Sequence, residues 1–468
     1  MKTKRKQKKL ILVKKKLWLL AIGAGVLLFV AGCGAVSTVP KPVTLEYWGV
    51  WNEASDIEPI IQAYEQKYSH VKINYKKFRF DEYQDELITA WAQDRGPDIF
   101  SIPNSWVRAY GEFITPMPEA TTMTRQYTKE SLAGTKKEII TEDITTRGYN
   151  EKTLDQTFLD VVKDDVYMNG QIQALPLSLD TLALYYNKDL LAQAGAAQPP
   201  TIWSDFVEFI PKLTLQDRDG NIVQSGAALG TANNIDRSAD ILLALMLQNG
   251  TDIMEKGIHI ASESTTQPGY FPGSRALEFY TDFARPTKQV YTWNQDMPQS
   301  LEAFTQGNTT FFFGYAYHLP LIESQAQDIN FDVTKLPQIS TDFSINFANY
   351  WVETVAKKSQ NPNAAWDFIN FATNEANVIP FLEKSNKPTA LRSLLAQQAS
   401  TNFSLSPFIT QGLTAKSWYR GIKPVEAEDI INSAITRIIV GYTPNEDSGD
   451  PYTDVLQETG QKLQATLQ

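Results

Sequence analysis

Hydrophobic and polar positions after residue 42 switch between the period of strands and the period of helices. Apolar residues alternate with polar ones at 43–47, and they recur at helical spacing at 57–64. A second strand is predicted at 71–75, a helix at 83–93 and a third strand at 99–102. This β-α-β-α-β order predicts an α/β fold with an open, largely parallel sheet.

Loops at the carboxyl ends of the first and third strands are candidate ligand sites, because open α/β sheets bind ligands at that edge. The first loop, 48–53, contains Trp51, Asn52 and Glu53, and the second, 103–106, contains Trp106. These side chains combine flat rings with polar groups that can donate and accept hydrogen bonds.

The stretch from Gln173 to Phe206 contains a second strong pattern. Leucine and tyrosine residues from Leu175 to Tyr186 predict a strand in which Asp180 is the lone carboxylate. A buried carboxylate needs partners, so Asp180 is a candidate functional residue. Trp203, on the helix that follows, lies at apolar spacing and is predicted to pack, as are Trp91 and Trp366.

The rest of the chain has clear helix and strand signals. We predict a turn at Asn169-Gly170, a strand at 309–313 that ends at Gly314, and helices at the positions that follow: 238–248, 274–284, 299–305, 363–372, a segment from about 425, and a last helix from 451. Residues 119–168 are rich in Thr, Lys and Glu, and we interpret them as exposed helices. Residues 217–221 mimic the start of a calcium loop, but Ile222 replaces its glycine, which favours a plain turn.

The N-terminus is predicted to be a secretion signal. Nine Lys and Arg precede an apolar run from Leu17 to Gly32, and the run ends at Val30-Ala31-Gly32-Cys33. This ending resembles the bacterial lipobox, in which the cysteine is lipidated, and Cys33 is the single cysteine of the chain. The alternative is an uncleaved membrane helix, and both place the remaining chain outside the cytoplasm.

Charge and length narrow the function classes. Residues 1–32 hold nine of the 43 Lys and Arg and no acid, so the rest has a formal charge of −19. This charge argues against a nucleic-acid partner. At 468 residues, two or more lobes are expected. His70, His259 and His318 lie far apart in sequence, and we predict neither a metal site nor a cofactor.

Several segments, in this order, resemble the extracellular solute-binding proteins of ABC importers, the family that contains the maltose- and multiple-sugar-binding proteins. They are Pro97-Asp98-Ile99 with Trp106 following, Leu175-Pro176 through Asp180 to Asp189, Pro199 to Trp203, Gly307 to Phe311, and Asn361 to Phe368. The resemblance covers most of the chain after residue 42, and residues 119–168 look like an insertion.

The resemblance implies a two-lobed, type II periplasmic-binding-protein-like α/β fold with a cleft between the lobes and a hinge that the chain crosses more than once. The N-terminal pattern predicts a signal peptide at 1–32, and the small residues, Ser/Thr and Pro that follow predict a tether at 33–42. By the same analogy, lobe 1 comprises 43–178 and 343–378, and lobe 2 comprises 179–342 and 379–468. The implied partners are a small-molecule sugar, an ABC permease and the membrane, through a lipid on Cys33; a monomer is expected.

A sugar offers apolar C–H faces and a rim of hydroxyls, so its site needs aromatic rings and planar polar groups. Asp180 matches the position at which relatives approach their ligand from the strand between the lobes. The predicted ligand-binding set is Trp51, Asn52, Glu53, Trp106, Asp180, Asn233, Tyr315, Tyr317, Tyr350, Trp351 and Trp418. Trp48, Asn234 and Trp293 are further candidates.

Other functions stay open on the sequence. The ligand of an importer can be a solute other than a sugar. A secreted glycosidase is the rival enzyme class, since Glu53 and Asp180 could act as paired carboxylates. We predict that the chain is a binding protein and not an enzyme.

Overall fold

The computed structural model describes residues 40–130, 137–254, 257–326, 328–443 and 450–468. The strands, in chain order, are β1 (Val43–Gly49), β2 (Val71–Lys77), β3 (Ile99–Pro103), β4 (Ala120–Glu130), β5 (Lys137–Arg147), β6 (Tyr167–Met168), β7 (Gln171–Ile172), β8 (Ala183–Asn187), β9 (Leu215–Gln216), β10 (Ile222–Ala227), β11 (Thr309–Gly314), β12 (Phe331–Lys335), β13 (Asn346–Phe347), β14 (Trp351–Val355) and β15 (Ala415–Lys416).

Helices cover both sheets and form most of the C-terminal part. They are α1 (Ala54–Lys67), α2 (Phe80–Ala92), α3 (Glu151–Thr157), α4 (Asp160–Val166), α5 (Lys188–Gln193), α6 (Trp203–Leu213), α7 (Ser238–Gln248), α8 (Pro272–Asp282), α9 (Ser300–Thr305), α10 (His318–Gln325), α11 (Pro362–Ala372), α12 (Glu375–Ser385), α13 (Leu395–Thr401), α14 (Ser406–Gln411), α15 (Pro424–Val440) and α16 (Pro451–Ala465). Short 3₁₀ helices lie at Asn104–Trp106, Gly111–Phe113, Arg392–Leu394 and Gly412–Thr414.

The first sheet has the strand order β14-β3-β1-β2. Strands β2 and β3 both pair with β1 in parallel, as the alternating helix and strand pattern predicts. Strand β14 comes from far along the chain and pairs antiparallel to β3, with Val352 opposite Ile102. Its start therefore lies at the same sheet edge as the ends of β1 and β3.

The second sheet has the order β12-β8-β11-β10-β9. Strand β11 pairs parallel to β10 and antiparallel to β8. Helix α7 is buried on nearly all sides: its apolar residues Ile241, Leu242 and Leu243 are inaccessible to solvent, and its polar residues Asp240 and Gln248 are also buried.

Residues 42–123 and 144–468 form one compact unit that contains two large hydrophobic cores. The first core takes residues from Leu45 to Leu179 and from Ala348 to Leu394, together with Ala415. The second takes residues from Leu182 to Phe347 and from Trp418 to Leu463. We refer to the parts built around these cores as the first and second lobes.

Three segments pass between the lobes side by side, and backbone hydrogen bonds join them. The Leu182 N–H donates to the Phe347 carbonyl (2.9 Å), and the Asn349 N–H donates to the Asp180 carbonyl (3.2 Å). The third segment follows β15, where the Ala348 N–H donates to the Lys416 carbonyl at 2.9 Å. The hinge is therefore a bonded three-stranded connection.

Two features of the sequence interpretation need correction. Residues 119–168 are only partly helical, since β4 and β5 occupy 120–130 and 137–147 while α3 and α4 follow. The Thr and Ile residues of β4 and β5 favour strands and outweigh the Lys and Glu residues that suggested helices. The strand predicted from Leu175 to Tyr186 begins only at Ala183; Leu175 and Thr181 make single bridges, to Glu353 and Ala348.

Other predicted elements match the structure. Tyr167–Met168 and Gln171–Ile172 form a hairpin in which Asn169 and Gly170 both have positive φ, at 53° and 77°. The turn at 217–221 is held by Asp217, which accepts hydrogen bonds from the Asp219 and Asn221 N–H groups. The lobe limits stay a prediction; Phe381 and Leu382, beyond residue 378, lie in the first core.

The described residues of 124–143 belong to a different compact unit from the one that contains the two large cores. Their two strand segments are joined by cross-strand side-chain pairs, among them Thr124 with Asp143 at 2.7 Å and Gln126 with Thr141 at 3.4 Å. Arg125 also lies 3.9 Å from Glu142. Polar pairs of this kind stabilise a two-stranded ribbon.

The predicted signal peptide, most of the tether and Cys33 lie outside the described residues. Within the described ranges, no helix combines the length and the apolar character that crossing a membrane requires.

Candidate functional site

Four aromatic side chains meet where the two lobes face each other: Trp51, Phe80, Tyr317 and Trp351. We call them the aromatic cluster. The Trp51 ring centroid lies 6.0 Å from that of Phe80, 6.2 Å from Tyr317 and 6.3 Å from Trp351. Trp51, Phe80 and Tyr317 remain 54%, 49% and 45% exposed. A contiguous group of exposed rings is unusual on a soluble protein and marks a binding surface.

Sheet topology explains why the first-lobe rings converge. Trp51 follows β1, Phe80 opens α2 just after β2, and Trp351 opens β14, which runs opposite to β3. All three positions therefore lie at the carboxyl edge of the parallel strands. Tyr317 follows β11 in the second lobe, and its ring lies nearly parallel to that of Trp51, at an interplanar angle of 14°.

Asp180 lies beneath Tyr317 on a segment that connects the lobes. Its carboxylate accepts hydrogen bonds from the backbone N–H groups of Thr181 (2.9 Å) and Ala316 (3.1 Å). Burial raises the pKa of Asp180 to about 7, although these hydrogen bonds and the charge of Lys387 oppose the shift. Asp180 thus ties the loop that carries Tyr317 to the hinge.

Glu353 and Lys387 place further charges behind the aromatic cluster. Glu353 accepts a hydrogen bond from the Ser101 hydroxyl (2.6 Å), and burial raises the pKa of Glu353 to about 7. Lys387 donates to the side-chain oxygen of Asn52, next to Trp51. Burial lowers the pKa of Lys387, while the nearby carboxylates of Asp56, Asp180 and Glu353 act in the opposite direction.

A polar cavity of about 30 Å³ lies between the lobes. Its charged lining residues are Arg237, Asp240 and Glu428; the neutral ones include Asn104, Asn349, Ser417 and Trp418. The space holds a water or two and is smaller than a sugar ring.

Arg237 and Asp240 form the central ion pair of this interlobe cavity. Arg237 Nε and Nη2 donate to the two Asp240 oxygens at 2.9 and 3.0 Å. Asp240 also accepts from the Tyr315 hydroxyl (2.7 Å) and the Asn349 amide (3.2 Å). Arg237 has a left-handed backbone with φ of 58°, which is strained for a residue with a side chain.

A second buried carboxylate, Asp165, joins α4 to the hinge. It accepts hydrogen bonds from Asn104 (2.8 Å) and the Tyr350 hydroxyl (2.9 Å). It also accepts from Ser417, and Arg420 lies 3.3 Å away. Because β15 and the residues after it lead into the second lobe, this network bonds one lobe to the other.

The structure brings part of the predicted ligand-binding set together. Trp51, Tyr317 and Trp351 are in ring contact, and Asn52 and Asp180 lie directly behind them. Tyr315 is buried, stacks on Tyr317 at 5.9 Å and donates to Asp240.

The other predicted residues lie outside the aromatic cluster. Trp106 is buried beside Phe80 and stacks on Tyr110; Tyr350 belongs to the Asp165 network. Trp418 lines the interlobe cavity. Glu53 caps α1 and pairs with Lys77, and Asn233 is exposed in the loop before α7.

Three further candidates have packing roles. Trp48 contacts Phe78, and Trp293 donates to Asn234 at 3.1 Å. Asn234 in turn bonds the carbonyls of Asn294 and Met297 at 2.9 Å each, which fixes the loop before α7.

Sequence reasoning missed Phe80, Lys387 and the cavity group of Arg237, Asp240 and Glu428. Phe80 had a usable signal, because it follows β2 and that strand ends at the same sheet edge as β1. Lys387 follows α12 and Glu428 lies on α15, both far along the chain from the other site residues. The sequence around each of them gives no indication that it reaches the site.

Comparison with known proteins connects this architecture to a family. The family model of bacterial extracellular solute-binding proteins matches residues 59–404. The chain is 18% identical over 404 residues to the galactooligosaccharide-binding protein of Bacillus subtilis, covering 85% of this chain and 86% of that one. For the curated relatives that match first, the matching region covers 52% of the relative's length, so the chain spans about half the length of those relatives.

Solved structures share the fold at low sequence identity. The cyclic alpha-maltosyl-1,6-maltose binding protein of Arthrobacter globiformis aligns with a TM-score of 0.69 and 17% identity, covering 91% of this chain and 99% of that chain. UgpB from Mycobacterium tuberculosis, in complex with glycerophosphocholine, aligns with a TM-score of 0.66 and 16% identity, covering 92% and 99%.

Proposed function

Because the chain belongs to the bacterial extracellular solute-binding protein family, we propose that it binds a carbohydrate between its lobes and delivers it to an ABC permease. An oligosaccharide is the ligand class that we favour, in line with the galactooligosaccharide-binding protein of Bacillus subtilis.

The aromatic cluster is the observation that carries this proposal. Trp51 and Tyr317 come from opposite lobes, and both leave about half of their surface open to solvent. Their flat faces suit the C–H faces of a sugar ring. The amides of Asn52 and Asn349 and the carboxylate of Glu428 can pair with hydroxyl groups.

Lobe closure supplies the mechanism. Contacts such as Trp51 with Tyr317 and Asn349 with Asp240 join elements of different lobes. A ligand that fits between these elements interacts with both lobes only in the closed state, so its binding shifts the population toward that state. The permease then receives the two lobes in a defined arrangement.

We further propose that the protein is a monomer, anchored on the outer side of the membrane by a lipid on Cys33. Replacing Cys33 with Ser should move the protein from the detergent phase to the aqueous phase on Triton X-114 partition. Mass spectrometry should find diacylglycerol on Cys33 of the wild type. An unmodified chain that retains residues 1–32 would instead support a membrane helix and overturn the lipid anchor.

Binding without catalysis is also part of the proposal. Glu53 is engaged with Lys77 and the start of α1, and Asp180 is bonded to backbone N–H groups. Because these partners already engage both carboxylates, neither is free to act as the acid or the nucleophile of a glycosidase. Incubation with oligosaccharides should release no shorter sugars.

A ligand screen tests the proposed function directly. In a thermal-shift assay, the melting temperature of the full-length protein should rise with at least one of maltotriose, galactotriose and mannotriose. A ligand that binds only the folded state stabilises that state. Isothermal titration calorimetry should confirm the hit. If stabilisation comes only from glycerophosphocholine, amino acids or peptides, the carbohydrate proposal fails and another solute takes its place.

A further inference from the structure

We propose that the interlobe cavity selects against anionic ligands, that Glu428 is the residue that enforces this selection, and that the solute is therefore an uncharged sugar. The inference rests on the proposed function and goes beyond it, because sugars that carry phosphate or carboxylate groups are excluded.

The charges around the cavity favour a neutral ligand. Two carboxylates, Asp240 and Glu428, face one guanidinium, Arg237, and leave this lining with a formal charge of −1. Arg237 Nη1 lies 3.1 Å from Glu428, and its Nε lies 2.9 Å from Asp240. An entering anion would meet two carboxylates at close range, and like charges brought together weaken binding.

Arg237 has too few free N–H donors to bind an anion in the usual bidentate way. A guanidinium carries five N–H groups, and Arg237 makes four hydrogen bonds or ion contacts to its two carboxylates, at 2.9, 3.0, 3.1 and 3.4 Å. A phosphate or carboxylate binds a guanidinium most strongly through two parallel N–H groups. The remaining capacity suits a single hydroxyl oxygen.

Glu428 and Asp240 differ in their capacity to accept further bonds. Asp240 accepts four hydrogen bonds, from Arg237, Tyr315 and Asn349, and acts as a positioning residue. Glu428 is half-buried, and within the described ranges its hydrogen bonds come from Arg237 alone. It therefore keeps acceptor sites for the hydroxyl hydrogens of a ligand.

Other cations near the hinge do not offset this charge. Arg420 lies 3.3 Å from Asp165, and its Nε donates to the Asp164 carbonyl at 2.9 Å. Lys387 is bonded to Asn52 and lies near the carboxylates of Asp180 and Glu353. Both cations already have acidic neighbours, so neither offers an uncommitted charge to an anionic ligand.

The test compares matched neutral and anionic probes by calorimetry with the full-length protein. The pairs are maltose with maltose 6′-phosphate, and galactotriose with tri-galacturonate. We expect the anionic member of the binding pair to bind at least about tenfold more weakly. The measured quantity is the ratio of the dissociation constant of the anionic probe to that of the neutral probe. Glu428→Gln should reduce this ratio several-fold. In the wild type, 1 M NaCl should also reduce it, because salt screens charges.

Glu426→Gln is the matched control, since Glu426 is an exposed residue of the same helix, pairs with Lys423 and does not line the cavity. Its ratio should equal that of the wild type. Equal or tighter binding of the anionic probe, or a ratio that Glu428→Gln leaves unchanged, overturns the inference and leaves the proposed function intact. If neither neutral sugar binds and the ligand screen finds no other, the proposed function fails and this inference with it.

Discussion

Trp51 and Tyr317 give the sharpest test at the scale of single residues. Replacing either with Ala should weaken sugar binding roughly tenfold, because one lost ring contact costs on the order of 1 to 1.5 kcal/mol. Calorimetry measures the change. Phe403→Ala is the control, since Phe403 is 81% exposed and makes no ring contact with the aromatic cluster. Unchanged affinity in both variants would remove these rings from the site.

The raised pKa values of the Asp180 and Glu353 carboxyl groups predict a pH dependence of stability. Burial raises the pKa of both Asp180 and Glu353 to about 7. A carboxyl group whose folded-state pKa is raised stabilises the fold below its unfolded pKa, and this contribution is lost as the pH rises through the folded pKa. The free energy of unfolding should therefore fall between about pH 4 and pH 7 on account of these groups.

Urea unfolding at several pH values measures this effect. Glu353→Gln should reduce the fall between pH 5 and pH 8 by roughly 1 to 3 kcal/mol, because the variant has no carboxyl group to ionise. Glu58→Gln, an exposed change on α1, should leave the slope as in the wild type. A slope that Glu353→Gln does not alter would contradict the assignment.

At this scale, sequence reasoning located aromatic residues but not their exposure. Trp51, Trp106 and Trp418 all follow or precede strands, and on sequence they looked equivalent. In the fold Trp51 is 54% exposed while Trp106 and Trp418 are 6% and 8% exposed. Whether another element covers a ring depends on tertiary packing, which local spacing does not encode.

The junction of β11 and α10 provides a test at the scale of elements. A Cβ on Gly314 would lie 2.7 Å from Phe312 and 2.8 Å from His318 Nδ1, which accepts a hydrogen bond from the Tyr315 N–H. Gly314→Ala should therefore lower the free energy of unfolding by about 1 to 3 kcal/mol. It should also weaken ligand binding, since the loop with Tyr315 and Tyr317 must shift.

Gly111→Ala is the matched control, because a Cβ there meets nothing within 4 Å and the backbone is not left-handed. Chemical denaturation compares the two variants. A Gly314→Ala protein as stable as the wild type would show that the neighbouring rings move without cost.

Elements with a strong periodic pattern were predictable, and the ribbon of β4 and β5 was not. Helix α7 was predicted at its observed bounds, since an apolar run from Ile241 to Leu247 follows shortly after Ser238. In β4 and β5 the Thr and Ile residues compete with Lys and Glu residues that favour helices, so composition misled. Each strand gains from its partner across the ribbon, and that partner is not visible in a local window.

For the molecule as a whole, we predict that ligand binding makes the protein more compact. Small-angle scattering should give a smaller radius of gyration with a saturating oligosaccharide from the screen than without it. A sugar that gives no thermal shift serves as the control at the same concentration. Equal radii with and without the bound ligand would contradict closure.

The two-lobed architecture could be inferred from the resemblance but not from the hydrophobic pattern alone. Strand β14 illustrates the reason, since its pairing with β3 joins residues about 250 positions apart, such as Glu353 and Ser101. Local patterns identify both strands and do not identify which strand each one joins.

The three segments between the lobes also set the order in which the chain can fold. The first core takes residues from Leu45 to Ala415, so it cannot be completed until most of the chain is available. The second lobe, by contrast, has β8 to β12 within one continuous stretch. Contacts so distant in sequence form slowly, and they leave an unfinished sheet edge exposed at β3 until β14 arrives. We therefore expect aggregation to compete with folding until the part of the chain that forms β14 is available.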